Sequence, residues 1–218
     1  MKIEHAIKDY LSDNLGKLND TFDWSFKLDS FPIKDFTTAS NGFYAQNREV
    51  RNFIYDAISN QHPLAKQLQM WYVKEWGRVR GNKPDTLSSY CAASDDELIS
   101  HGLKGVATWS KILCVRNPSR YAIFDARVSL ALNSLQKKYG IEDAVLFPHL
   151  PTQNRMFVKG TQSVISSSGF FKSTLGNDFY RFYLNLLDSA VKDSGEFDLQ
   201  DAEMVLFANA KELSEVWH

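Results

Sequence analysis

The stretch GLKGVATWSKILCVRNPSRYAIFDARV, residues 102–128, decides how this chain is read. It places Gly102 and Gly105 ahead of an apolar helical run and breaks that run at Asn117-Pro118. One acid, Asp125, then follows Ala122-Ile123-Phe124 and opens a second helical run. The residue before a proline is pushed out of the α region, so the first run ends at Asn117. Upstream, DDELISH supplies another helix, giving helix, glycine turn, helix. Such a hairpin leaves the first N–H groups of its second helix, at Gly105, Val106, Ala107 and Thr108, without intrahelical acceptors. Together with the positive end of the helix dipole they suit a phosphate. A glycine turn between helices is also common as plain connection. Asp125 has three readings: a helix cap, half of a buried ion pair, or a catalytic acid.

Working outward, apolar residues recur mainly with helical period. Ile3, Ala6, Ile7, Tyr10 and Leu11 form one stripe; Val50, Phe53, Ile54, Ala57 and Ile58 form another. Pro63 opens a helix through PLAKQLQMWYVKEWGRVR. Ser94 with Glu97 is a capping box, and Gly102 is a helix stop beside a C-cap at His101. DARVSLALNSLQKKYG is bounded by Asp125 and Gly140; NDFYRFYLNLLDSAV and DLQDAEMVLFANAKELSEV follow as helices. The stretch RMFVKGTQSVIS is expected as a short hairpin or irregular loop, and the aromatic, aperiodic residues 21–45 as a wrap over the surface of a bundle. The fold class is therefore mainly α.

The 218 residues suit one domain, or two lobes, with 44% hydrophobic and 23% charged residues. No apolar run reaches the ~18 residues that span a bilayer, and the N-terminus has no signal-peptide pattern. Cys91 and Cys114 have no metal-ligand spacing, so a reducing cytoplasm is the expected compartment and no membrane the expected context. The net charge of −1 argues against a general polyanion binder. Yet Lys74 to Arg127 carries nine Lys/Arg against six Asp/Glu, and this basic part contains the hairpin.

LKGVATWSKIL followed by YAIFDARVSLAL resembles the helix-hairpin-helix DNA glycosylase superfamily, most closely its bacterial proteins of 8-oxoguanine DNA glycosylase-like fold. The resemblance is good over about residues 86–135 and weak elsewhere. It implies a helical bundle over residues 1–218 with its core near 86–140, which grips DNA backbone on the hairpin, flips out a base and cleaves its N-glycosidic bond. Carried over, Lys104, Gly105, Val106, Ala107 and Thr108 form the DNA-gripping turn, and Asp125 is the catalytic acid. A carboxylate there stabilises the oxocarbenium-like sugar cation of glycosidic cleavage. Lys104 stands where the family usually has Pro, Ala107 where it has Gly. Trp109 occupies the position of the amine nucleophile in bifunctional members, which favours a monofunctional enzyme using water. Lys111, about 200° further round the helix, is the nucleophile in a weaker version. The family's four-cysteine iron–sulfur cluster is excluded by two cysteines. No cofactor is expected beyond a monovalent cation at the hairpin; the partner is DNA and the state monomeric.

Other residues have two readings each. Trp109 lines a base pocket or packs in the core. Arg116, Arg120 and Arg127, with Arg78 and Arg80 of WGRVRGNK, contact phosphates or are solvated charges. Gln61 fills the gap left by a flipped base or belongs to a polar loop. The alternative to an enzyme of DNA repair or antiviral defence is a non-catalytic DNA-binding module that keeps the hairpin, with Asp125 only a cap.

Overall fold

The computed structural model describes residues 1–152, 154–192 and 195–217. The chain is mainly helical: α1 (Ile3–Asn14), α2 (Leu18–Thr21), α3 (Phe43–Ser59), α4 (Ala65–Trp71), α5 (Pro84–Ala92), α6 (Asp95–Ser100), α7 (Val106–Arg116), α8 (Ala126–Lys138), α9 (Arg155–Ser166), α10 (Phe179–Val191) and α11 (Leu199–Ser214). A parallel pair, β1 (Val145–Leu146) with β2 (Ser173–Thr174), is the only sheet among the described residues. No helix among those residues is long and apolar enough to cross a membrane. The backbone gathers into two compact units: a terminal unit, Met1–Phe22 with Phe124–His218, and a central unit, Asp23–Ile123.

In the terminal unit α11 is buried at every position from Leu199 to Phe207 and packs along α8, while α1 packs on α10. Both long helices are delimited by local chemistry. Asp198 caps α11, accepting from the Gln200 and Asp201 N–H groups at 2.9 and 3.2 Å, and Asp201 accepts in return from the Asp198 N–H at 2.9 Å. Gly140, at φ +59°, ends α8, and the Ile141 N–H reaches back to the Gln136 carbonyl at 2.9 Å.

The buried polar face of α8 has a purpose that periodicity alone does not reveal. Asn133 donates to the Phe147 carbonyl (3.1 Å) and accepts from its N–H (3.0 Å). Gln136 does the same for Val145, at 2.8 and 2.7 Å. Ser129 Oγ donates to the Pro148 carbonyl at 2.6 Å. The amide side chains thus replace a neighbouring strand and satisfy a buried backbone segment.

The expected hairpin at RMFVKGTQSVIS is instead helix α9. Its buried positions, Phe157, Gly160 and Val164, recur with helical spacing. Gly160 sits within this helix although glycine weakens one. Here it allows close packing, since a Cβ would lie 3.0 Å from Leu130 and 3.2 Å from Ser214.

In the central unit α7 is the core helix, buried at each position from Thr108 to Val115, with α3, α4, α5 and α6 around it. Helix α4 does not run on to Arg80. It opens into a π-helical turn, Tyr72–Trp76, and stops at Gly77. That turn stacks Tyr72 on Trp76 with centroids 4.1 Å apart. The fully buried Arg51 donates from Nε to the Tyr72 hydroxyl at 2.7 Å and lies 5.3 Å from the Trp76 ring. Residues 21–45 do more than wrap a surface. Phe31 is buried and meets Trp71 edge-on at 4.7 Å, Phe36 meets Phe53 at 4.3 Å, and Trp24 donates from Nε1 to the Trp76 carbonyl at 3.1 Å. An aperiodic segment can build core because aromatic side chains bury large areas without a regular backbone.

Candidate nucleic-acid interface and carboxylate

The hairpin joins α6 to α7 within the central unit. The capping box at Ser94 and Glu97 starts α6, with the Ser94 N–H donating to the Glu97 carboxylate at 2.7 Å. That contact, chiefly the backbone bond, holds the Glu97 carboxyl below its ordinary range. Gly102 (φ +56°) ends α6, and Gly105 (φ +73°) is the N-cap of α7. Both are left-handed, a conformation glycine adopts without strain.

Of the four N–H groups expected to face a ligand, two are engaged by the turn itself. Val106 donates to the Leu103 carbonyl at 3.4 Å and Thr108 to the Gly105 carbonyl at 2.8 Å. Among the described residues nothing accepts from the N–H groups of Gly105 and Ala107. The carbonyls of His101, Leu103 and Lys104 each accept one N–H, and that of Gly105 accepts two, from Thr108 at 2.8 Å and Trp109 at 3.0 Å. Among the described residues no group of three or more His, Cys, Asp or Glu could hold a metal ion.

The basic loop after α4 packs beside this hairpin. Asn82 donates to the Thr108 hydroxyl at 2.6 Å. Gly77 faces Lys111 so closely that a Cβ would lie 2.7 Å from its Cε. Lys104, Arg78 and Arg80 are exposed. Arg78, at φ +52°, lies over the Trp24 ring at 4.3 Å and donates to the Ser25 carbonyl at 3.0 Å.

Several expected site residues have structural work instead. Trp109 is fully buried and donates from Nε1 to the Lys104 carbonyl at 3.1 Å, so its ring has no open face for a base. Lys111 is 3% exposed and donates to the Ala107 carbonyl at 3.0 Å. An amine nucleophile needs an open approach, and Lys111 lacks one here. Arg116 is the clearest correction. Its Nε donates to Gln69 (3.1 Å), and its terminal nitrogens to the carbonyls of Ala93 (2.8 Å), Tyr90 (3.3 Å) and Cys91 (3.0 Å) and to Asp95 (3.0 Å). These use all five donors of a guanidinium. Arg116 therefore caps the C-terminus of α5 and ties it to the start of α6, with no donor left for a phosphate. Arg120 is exposed, 5.2 Å from the Tyr121 ring.

Asp125 belongs to the terminal unit, just after the chain leaves the central one. Phe124 is fully buried in an aromatic cluster, 4.8 Å from Phe179 and 5.3 Å from Tyr183. This anchor fixes the backbone at the start of α8. Asp125 is half-buried and is the N-cap of α8, its Oδ1 accepting from the N–H groups of Arg127 (3.0 Å) and Val128 (3.2 Å). Two oriented N–H donors and the helix dipole favour a charged acceptor at this point. Arg127 itself lies 4.3 Å from the Phe207 ring and 4.9 Å from that of Phe157. Its two aromatic contacts are those of a packed residue rather than a surface phosphate ligand.

Gln61 is exposed at the end of α3 in a left-handed conformation, φ +53°. The His62 N–H reaches the Ala57 carbonyl (2.8 Å) and the Gln61 N–H the Ile58 carbonyl (3.0 Å). This is the helix-ending motif in which glycine is usual, so Gln61 is held with backbone strain.

Sequence reasoning missed Tyr90. It comes from α5, is 8% exposed, and its hydroxyl oxygen would lie 2.5 Å from a Cβ on Gly105. No family model, curated protein or solved structure matches this chain.

Proposed function

We propose that this protein is a DNA glycosylase-like enzyme of the helix-hairpin-helix type, monofunctional, removing a damaged or modified base in DNA repair or antiviral defence. The observation that carries the reading is the α6–α7 hairpin. Two unengaged N–H groups at the start of an eleven-residue helix, on an exposed turn with Lys104, and the packed loop bearing Arg80, form a binding surface for DNA backbone. Asp125 supplies the chemistry. Held by two backbone donors, its carboxylate stabilises the cation developing on the sugar and orients water for attack at C1′. The burial of Lys111 and Trp109 favours water over an enzyme amine as the nucleophile.

The test is incubation with oxidised, alkylated and deaminated oligonucleotides and with phage DNA carrying modified cytosine. Free base is read by mass spectrometry and abasic sites by alkali cleavage, with Asp125→Asn and Lys111→Ala in parallel. Base release lost only in Asp125→Asn supports the reading. A borohydride-trapped adduct lost in Lys111→Ala replaces it with a bifunctional mechanism. Duplex binding without base release from any DNA leaves a non-catalytic DNA-binding module, the reading favoured by Asp125's service as an ordinary cap.

A further inference from the structure

We infer that the Tyr90 hydroxyl is a side-chain ligand of the phosphodiester docked on the hairpin. This rests on the proposed DNA-binding role of that hairpin. Tyr90 is 8% exposed, its ring enclosed and 5.3 Å from that of His101. Its hydroxyl is directed at Gly105, the N-cap of α7; a Cβ on that glycine would lie 2.5 Å from the oxygen and 3.3 Å from the ring. Among the described residues nothing pairs with this hydroxyl, which is the part of the enclosed side chain that reaches the surface. Neither do the adjacent Gly105 and Ala107 N–H groups have acceptors.

Three unengaged donors thus cluster at one helix N-terminus, one on a side chain that is otherwise buried. Donors without acceptors need water or an anion, and an oxygen-rich monoanion such as a phosphodiester satisfies all three. The same geometry explains Gly105 twice over: a side chain there would be strained at φ +73° and would displace the hydroxyl. Arg116 holds the donor in place, because its guanidinium binds the Tyr90 carbonyl at 3.3 Å.

The experiment compares wild type, Tyr90→Phe and Lys104→Ala for binding to a fluorescent 20-base-pair duplex over a salt series, with thermal melting of each protein. Tyr90→Phe removes one oxygen and keeps the ring, so its melting temperature stays at the wild-type value. A neutral donor to a charged acceptor is expected to be worth about tenfold in affinity. Because it displaces no counterion, the loss is uniform across salt and the slope of log K against log salt is unchanged. Lys104→Ala instead lowers that slope by about 1. Equal duplex binding by wild type and Tyr90→Phe overturns the assignment of Tyr90 and leaves the DNA-binding reading standing. Absence of duplex binding by wild type overturns both. A tenfold loss with an altered slope also overturns it, because it marks a displaced charge, not a lost hydroxyl.

Discussion

Asp125 carries two roles that a pair of substitutions separates. As a cap it presents Oδ1 to the N–H groups of Arg127 and Val128 at 3.0 and 3.2 Å. Asparagine ranks with aspartate at this position and keeps an oxygen there, so Asp125→Asn retains both bonds. At the cap it loses only the attraction between the helix N-terminus and a charge, about 0.3–1 kcal/mol. Asp125→Ala removes the acceptor altogether. The site is half-buried, so the cost belongs in the upper part of the usual range, about 1–2 kcal/mol. For a chain of this size that lowers the melting temperature by roughly 2–8 °C, against at most about 4 °C for Asn. As a catalyst the carboxylate contributes its charge, and both substitutions remove it. Single-turnover base release should fall about 100-fold or more in each, by analogy with the loss of one aligned electrostatic group. Stability is read by thermal and urea melts, catalysis on whichever DNA the substrate panel identifies. An Asn variant that melts as low as the Ala variant refutes the capping account. An Asn variant that excises base at the wild-type rate refutes the catalytic one.

Gln61→Gly relieves a left-handed backbone position and should stabilise the protein by about 1 kcal/mol, seen as a higher melting temperature; no change would mean that φ +53° costs nothing here. Arg116→Gln strands three carbonyls and Asp95 and should cost about 3 kcal/mol in a urea titration, with Arg116→Lys recovering only part of it. Burial, and secondarily the charge of Glu212, raises the Tyr10 phenol well above its ordinary value of 10.0. The folded state therefore favours the neutral phenol. That contribution is complete below pH 10 and declines as pH rises toward the raised value. Wild type should lose melting temperature above pH 10 more steeply than Tyr10→Phe, and identical alkaline profiles would show that Tyr10 ionises as easily folded as unfolded.

Much of the helical layout is written locally. The capping box at Ser94 and Glu97, the cap at Asp125, and the stop at Gly140 all form within a few residues, so their chemistry is visible in the sequence. The apolar stripes of α1 and α10 likewise repeat with the period of the helix that buries them. The hairpin turn belongs to the same class, because the left-handed positions of Gly102 and Gly105 favour glycine by local backbone sterics.

Tertiary structure alone decided the rest. Arg116, Arg127, Trp109 and Lys111 look from the sequence like an interface near a hairpin. Packing turns Arg116 onto carbonyls at the end of α5, sets Arg127 against Phe157 and Phe207, and closes Trp109 and Lys111 inside the central unit. Gly160 is a contact point only because its neighbours Leu130 and Ser214 come from elsewhere in the chain. Tyr90 gives no local signal at all; only the approach of α5 to Gly105 brings its hydroxyl to the hairpin. Caps and turns are set by backbone groups a few bonds away, which the sequence specifies. The partner of a long side chain is whatever packing delivers to its tip, and that is a property of the folded chain.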